Sequence, residues 1–373
     1  MDIQKFNASE YKGKIQDAVL LANSMRTEKD NVQDVSFGEV IKTKFGVSQE
    51  EFYENLGINP YTDTIQNLTT TGDLDVRWII PEIFRDALRL GLQKAPIWNN
   101  VIASESQVSG LTTIMPYINT SDAAPRRVGE AETIPTGSIS YGSKTVEIFK
   151  VGRGIKIPYE VMQYATLDVV SLFLTDFGKQ LGLALDTLAL DTIINGEQTD
   201  GSASSPVIGV GTAGTKVYAD YLRIWIRMAR IGRLPNTIIG GEAAALETLD
   251  LAEFKTNNVG GNAGAGLPTS SALDIKTPIP KKSNYYIHGN VPADQEIILD
   301  PSSTLVKFNA QPLLVESEKI VSNQTEGFYA SLTTGFAKLF RDSAVVMDKS
   351  DTIGNLPFPA YMDVDSFENV VIN

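Results

Sequence analysis

The stretch Thr166–Gly196, TLDVVSLFLTDFGKQLGLALDTLALDTIING, constrains the fold of this chain more than any other. Leu167, Val170, Leu174, Phe177, Leu181, Ala184 and Leu188 recur at alternating spacings of three and four. That spacing holds one apolar stripe on one side of an α-helix. Thr166 can accept a hydrogen bond from the unpaired first-turn N–H groups, and Asp168 places negative charge at the positive end of the helix dipole. Asn195-Gly196 supplies a left-handed stop. The helix between those caps is about 29 residues, or ~44 Å, against a usual ~11–12 residues. Burying such a stripe gives on the order of 10 kcal/mol of gross apolar stabilisation before the entropy of ordering is subtracted. Gly178 and Gly182 each cost roughly 1 kcal/mol relative to Ala in a helix, so their presence predicts another chain segment crossing there. The helix is a scaffold, too long for an enzyme loop.

The chain has 373 residues, enough for two or so domains with real cores. It contains no cysteine, which excludes disulfides, thiolate metal sites and cysteine nucleophiles. Its single histidine, His288, argues against a histidine zinc site and leaves one base for any Ser-His-Asp triad. The net charge of −13 is the opposite of what gripping phosphates requires. No secretory signal is expected from MDIQKFNASEYKGK, and no run of 18 apolar residues predicts a membrane span.

Residues 1–75 read as an arm with short amphipathic helices. Tyr11–Asn23 carries a stripe of Ile15, Val19 and Ala22; Phe37–Phe45 suggests a second helix, and Ser48-Gln-Glu-Glu51 resembles a capping box opening a third. Val76–Leu92 is expected to start extended and turn helical after Pro81, a good first-turn residue. From Glu105 to Val151, strand-like ends enclose a polar middle, the pattern of a long hairpin that is marginal alone and needs another surface. Gly154–Pro158 reads as a short strand and Tyr159–Tyr164 as a turn of helix. Beyond the long helix, Val207–Val210, a helix at Tyr218–Ile231 (Leu222, Trp225, Ile226, Ala229), a strand at Thr237–Gly240 and a helix at Gly241–Phe254 follow. Asn257–Ser271 is a glycine-rich loop. Strands at Tyr285–Gly289, Glu296–Asp300 and Thr304–Phe308 complete a compact α/β unit over residues 216–325, and strands at Phe328–Phe340 and Ser343–Met347 end the pattern.

Gly209-Val-Gly211-Thr-Ala-Gly214 spells a dinucleotide fingerprint, but Thr215-Lys216-Val217 separates it from the next helix and no acidic residue stands about 20 positions on. The reading is a loop. Gly260–Gly266 lacks the Lys-Ser/Thr of a P-loop, and His288, in a strand, reads as structural. No pair of carboxylates is isolated in an apolar setting. No active site, cofactor or metal is expected.

The order of parts is more specific than any one of them. A hairpin containing Val128-Gly-Glu-Ala-Glu-Thr-Ile-Pro135 is followed by Gly154-Ile-Lys-Ile-Pro-Tyr-Glu-Val-Met162, the long helix ending in Asn195-Gly196, a loop to Pro206-Val-Ile-Gly209, the α/β unit, and Gly335-Phe-Ala-Lys-Leu-Phe-Arg-Asp-Ser-Ala-Val-Val346. Over roughly residues 76–347 this resembles the major capsid protein of tailed double-stranded DNA phages, the Hong Kong 97-type fold. The resemblance implies an α+β fold: an N-terminal arm (1–75), a peripheral domain (76–104, 152–215 and 330–373) built on a spine helix at 166–195, an extended loop (105–151) lying over a neighbouring subunit, and an axial domain (216–329). It implies a non-enzymatic icosahedral shell of pentamers and hexamers in the virion, assembled in the host cytoplasm with portal and scaffold proteins and enclosing DNA without specific binding. An acidic wall would let packaged DNA slide past. The arm matches no family motif; in relatives such a region can act as a scaffold that a protease removes.

Arg126, Arg127, Glu130 and Glu132 at the hairpin tip are expected to make inter-subunit ion pairs, because that tip has no apolar means of fixing its position. Gly178 and Gly182 are expected to receive the arm or another subunit's hairpin. Some relatives cross-link a loop lysine to a neighbour's asparagine; Lys144, Lys150 and Asn355 are of suitable type. One rival is an encapsulin-like compartment with the same fold and a cargo enzyme inside, which favours a shorter N-terminal region. The other is a soluble nucleotide-dependent enzyme built on Gly209–Gly214.

Overall fold

A computed structural model of the chain describes residues 19, 36–55, 58–59, 62–64, 76–94, 97–119, 130, 138–196, 204–253, 283–359 and 362. The first part of the chain forms α1 (Phe37–Phe45), α2 (Gln49–Asn55), α3 (Val76–Gln93), α4 (Trp98–Val101), β1 (Ile102–Gln107), β2 (Thr112–Asn119), β3 (Ser138–Glu147), β4 (Phe149–Pro158), α5 (Tyr159–Tyr164) and α6 (Leu167–Asn195). There follow β5 (Val207–Val210), α7 (Tyr218–Arg230), β6 (Thr237–Gly240), α8 (Glu242–Asp250), β7 (Asn284–Ile287), β8 (Gln295–Leu299), β9 (Leu305–Ile320), β10 (Thr325–Lys338) and β11 (Ala344–Thr352). The chain is α+β. It divides into two units, one drawn from 1–95, 149–185 and 309–334, the other from 96–148, 186–308 and 335–373. The glycine-rich loop at 257–271 and the helix expected at 11–23, Val19 apart, lie outside the described residues.

In the first unit, local capping starts the arm's helices. Ser36 Oγ accepts the Gly38 N–H at 3.1 Å while Glu39 accepts the Ser36 N–H at 3.1 Å, the reciprocal pair of a capping box. Gly46, at φ +72°, closes α1. Ser48 Oγ likewise accepts the Glu51 N–H at 3.2 Å to open α2. Phe37 and Phe52 then meet edge to face at 6.5 Å, fully buried. α3 differs from expectation: it is helical from Val76, with Pro81 inside it. Proline there removes the N–H that would have bonded the carbonyl of residue 77, four positions back. Starting earlier places Ile80 on the buried face with Phe84, Ala87, Leu88 and Leu92.

The long helix spans Leu167–Asn195, 29 residues, within a residue of the expected caps. Its first half buries Leu167, Val170, Leu174, Phe177 and Leu181 as the stripe predicts. The second half does not follow it. Ala184 and Leu188 are half-buried, and Leu185, Ala189 and Ile193 are buried instead. A strict three-four alternation falls behind a 3.6-residue helix by ~20° per heptad, so Leu188 has swung about 60° from Leu167. The change falls where the helix passes from residues of the first unit to residues of the second, at 185–186. β4 pairs antiparallel with β10, Phe149 opposite Thr334 and Pro158 opposite Thr325, and Phe84 packs edge to face on Phe328 at 4.7 Å.

In the second unit a five-stranded sheet has the order β5-β11-β8-β6-β7, with β11–β5 and β6–β7 parallel and β11–β8 and β6–β8 antiparallel. Ile208, Val210, Ile238, Ile298, Val345 and Met347 of this sheet share a core with Tyr221, Ile224 and Met228 of α7. The apolar spacing predicts Leu222, Trp225, Ile226 and Ala229 on that face, but Ile226 is 59 % exposed. The inward face lies one residue earlier because Asp220 is anchored there, accepting the Gly211 N–H at 3.0 Å and the Val217 N–H at 3.1 Å. Met362 is fully buried in the same core. The hairpin is present: β2 and β3 pair antiparallel from Thr112–Glu147 to Asn119–Ser138, with an irregularity between Ile114 and Pro116.

Candidate functional site

Among the described residues, chemistry-bearing side chains converge most densely in the second unit. Glu296 of β8 is 1 % exposed, yet both of its oxygens are occupied. Oε1 accepts from Thr248 at 2.5 Å, Tyr285 at 2.7 Å and Lys216 at 3.2 Å, and Oε2 accepts from Tyr221. Lys216 Nζ spends its other two donors on the Ala244 carbonyl at 2.9 Å and Thr248 Oγ1 at 3.1 Å. Burial, and then the Glu296 charge, push the Tyr221 and Tyr285 hydroxyls far above the usual tyrosine range, so both stay protonated donors. Every member of this cluster is satisfied within it. It has no free base and no free nucleophile, so it is a lock joining α8, β8 and the segment before α7. The sequence signal was one charge inside the apolar run Gln295–Leu299, which an inventory of catalytic motifs does not weigh.

An open hollow of about 480 Å³ beside it is lined by Gly214, Thr215, Lys216, Leu246, Glu247 and Asp250. Lys216 turns inward, and Glu247 is paired with Lys349, which also meets Asp294 at 3.2 Å. The Gly209–Gly214 loop does not offer its N–H groups to a phosphate. The Gly209 N–H donates to the Leu356 carbonyl at 3.0 Å, the Gly211 N–H to Asp220, and the Gly214 N–H to the Lys349 carbonyl at 2.7 Å. A dinucleotide needs those donors free. His288 Nδ1 accepts the Asn290 N–H at 3.2 Å, and burial holds its pKa below the usual value, as a structural imidazole. Among the described residues no cluster of His, Asp or Glu is arranged to hold a metal ion, and no helix is long and apolar enough to cross a membrane.

The remaining candidates are surfaces. Leu111 and Ile114 of the hairpin are 68 % and 53 % exposed. On α5 and α6, Tyr164, Val169, Leu172 and Phe173 are also exposed. Of the tip residues, Arg126, Arg127 and Glu132 lie outside the described residues, while Glu130 is exposed in a turn. Lys144 is part of β3; Lys150 is exposed on β4 opposite Thr333; Asn355 is exposed and donates from Nδ2 to Asp351 Oδ1 at 2.7 Å. Gly178 and Gly182 are both buried. A Cβ at Gly178 would run into the Leu88 carbonyl, and one at Gly91 into the Thr175 carbonyl. The segment crossing at Gly178 is therefore the chain's own α3, glycine against glycine, rather than the arm or a second subunit's hairpin.

Residues 142–347 match the family described as phage capsid protein. No curated protein sequence matches the chain. Among solved structures it is similar to a virus-like particle from Pyrococcus furiosus, at 12 % identity and a TM-score of 0.47, covering 71 % of this chain and 97 % of that one. It is similar to the capsid of a native GTA particle at 13 % identity and a TM-score of 0.46, covering 67 % and 89 %. A structure from Mycobacterium phage Adephagia aligns at 15 % identity and a TM-score of 0.43, covering 66 % and 87 %.

Proposed function

The chain belongs to the phage capsid protein family, and on that basis we propose that it is the major capsid protein of a tailed phage, of the Hong Kong 97 type. In this reading copies of the chain assemble into pentamers and hexamers of an icosahedral shell that encloses double-stranded DNA, in a virion completed by portal and scaffold proteins in the host cytoplasm. The observation that carries the reading is the family match, which runs from β3 through the long helix and the α/β sheet to β11. Two further features support it. The Lys216–Glu296 cluster is closed on itself and acts as a structural lock between α8 and β8. The β2–β3 hairpin exposes Leu111 and Ile114, apolar surface that a second copy would cover. The domain roles follow: α6 is the spine, residues 105–151 the extended loop, residues 216–329 the axial domain. The charge of −13 suits an inner wall past which DNA must move.

Expression of the full chain, with sedimentation and electron microscopy, tests this. Closed shells are expected, holding nuclease-protected DNA when recovered from phage-producing cells. A small soluble species under all assembly conditions overturns the shell, and shells that hold a protein cargo in place of DNA overturn the genome-enclosing role.

A further inference from the structure

Two neighbouring helices of the second unit turn opposite charge outward. On α7 the exposed side chains are Ala219, Arg223, Ile226 and Arg230, whose spacings of four, three and four put them on one face. On α8 the exposed residues are Glu242, Ala243, Leu246, Glu247 and Asp250, again on one face. Every exposed ionic group of α7 is basic and every one of α8 is acidic; the one carboxylate of α7, Asp220, is buried. The inner faces of both helices are already occupied. They share the core of the sheet through Tyr221, Ile224, Met228 and Ala245, and the Tyr221 and Thr248 hydroxyls meet at 2.7 Å.

The two outward faces match in pattern as well as in sign. At the middle of each stands one aliphatic side chain, Ile226 at 59 % and Leu246 at 74 % exposed. Arg223 and Arg230 flank Ile226 one turn to either side, about 10.5 Å apart along the axis at ~1.5 Å per residue. Glu242 and Asp250 flank Leu246 in the same way, about 12 Å apart. The two spacings differ by about 1.5 Å, well within the reach of an arginine side chain. Arg223 gives one N–H to Asp220 at 2.9 Å, but a guanidinium has five donors and can take a second carboxylate. Neither face suits its own copy, because α7 on α7 sets arginine against arginine and α8 on α8 sets carboxylate against carboxylate. Contact between unlike faces is head to tail, and its repetition closes a ring. Opposed helix dipoles favour an antiparallel crossing, which brings Arg230 to Glu242 and Arg223 to Asp250.

We propose that α7 of one copy packs antiparallel on α8 of the next, Ile226 against Leu246, and that this contact, repeated, joins copies into rings. The inference rests on the shell reading above and names a contact within its pentamers and hexamers. The aliphatic pair excludes water at the centre, and the charges on either side choose the partner and its register.

The chain has no cysteine, so thiols can be placed one at a time in the full chain. Particles assembled from equal parts of the Ile226→Cys and Leu246→Cys variants, treated with a short bismaleimide, should yield dimers with one chain of each kind. The double variant should yield a ladder that reaches five and six chains. A ladder that stops at two chains shows a twofold pairing and overturns the ring, and particles without cross-links overturn the contact; both results leave the shell reading standing. A parent chain that forms no particles overturns the shell reading and the inference with it. Arg230→Glu should raise the concentration needed for assembly roughly tenfold, and Glu242→Lys in the same chain should restore it. Failure of that rescue overturns the antiparallel register.

Discussion

Asp186 should make this protein less stable as pH rises from 5 to 8. It is fully buried in α6, and its Oδ1 accepts the Trp98 N–H at 2.6 Å while Oδ2 has no partner. Burial raises its pKa from 3.8 to about 6, against the lowering effect of the Trp98 and Ile97 backbone N–H groups. The folded chain therefore holds this proton more tightly than the unfolded chain does. Stability falls as pH rises from about 4 to about 6 and is level above that, where the full cost is ~3 kcal/mol at 1.36 kcal/mol per pKa unit. About half of that cost is already present at pH 5, so some ~1.4 kcal/mol separates pH 5 from pH 8. Asp186→Asn keeps an oxygen for the Trp98 N–H and removes the charge, at the expense of a buried NH2 group worth roughly 1–3 kcal/mol. That expense does not depend on pH, so it cancels in a comparison across pH. Urea unfolding of disassembled subunits, followed by tryptophan fluorescence, should show the variant gaining about 1.4 kcal/mol on the parent between pH 5 and pH 8. Parallel pH profiles would refute the argument.

The remaining predictions concern packing, the buried pair and assembly. Gly178→Ala should destabilise by several kcal/mol, because its Cβ meets the Leu88 carbonyl, whereas helix propensity alone expects a gain of ~1 kcal/mol; the sign of the change in urea midpoint decides. Glu296→Gln should cost roughly 3–5 kcal/mol by leaving the buried Lys216 ammonium with only its longer, 3.7 Å pairing to Glu247, and an unchanged thermal midpoint would refute this. Reversing charge at Arg126 and Arg127 together should impair shell formation while circular dichroism of the subunit is unchanged; shells of unchanged yield and melting would remove the tip from the contact.

Local signals were enough to place the ends of α6, the span of α1 and the start of α2, because caps and apolar spacing act over a few residues. What they could not supply depends on partners far along the chain. Residues 221 and 222 both carry large apolar surface, and which of the two turns inward is decided by the bonds from Gly211 and Val217 to Asp220 and by the bond from the Tyr221 hydroxyl to Glu296. Pro81 reads as a helix start until Ile80 is known to have a core to enter. The strand expected at Thr304–Phe308 is only the first part of β9, which runs on to Ile320. The Lys216–Glu296 lock was invisible for the same reason, its members standing 80 positions apart.

The glycines of α6 show how a local cost becomes a global constraint. In isolation Gly178 weakens the helix, and so does Gly91 in α3. Each is tolerated because the other's helix fills its missing side chain: α3 can approach α6 closely only where both lack a Cβ. The pair therefore fixes the crossing point and, with it, which faces of both helices remain for other contacts. Val169, Leu172 and Phe173 stay exposed on α6 because that crossing claims the opposite side, where Leu174, Phe177 and Leu181 are buried. A substitution that closes the glycine gap should thus act twice, on the stability of the subunit and on the outward face it presents to another copy. Measuring both in Gly178→Ala separates the two effects: lost assembly with an intact fold would mean the crossing sets the surface, while loss of both together would place its role in the subunit alone.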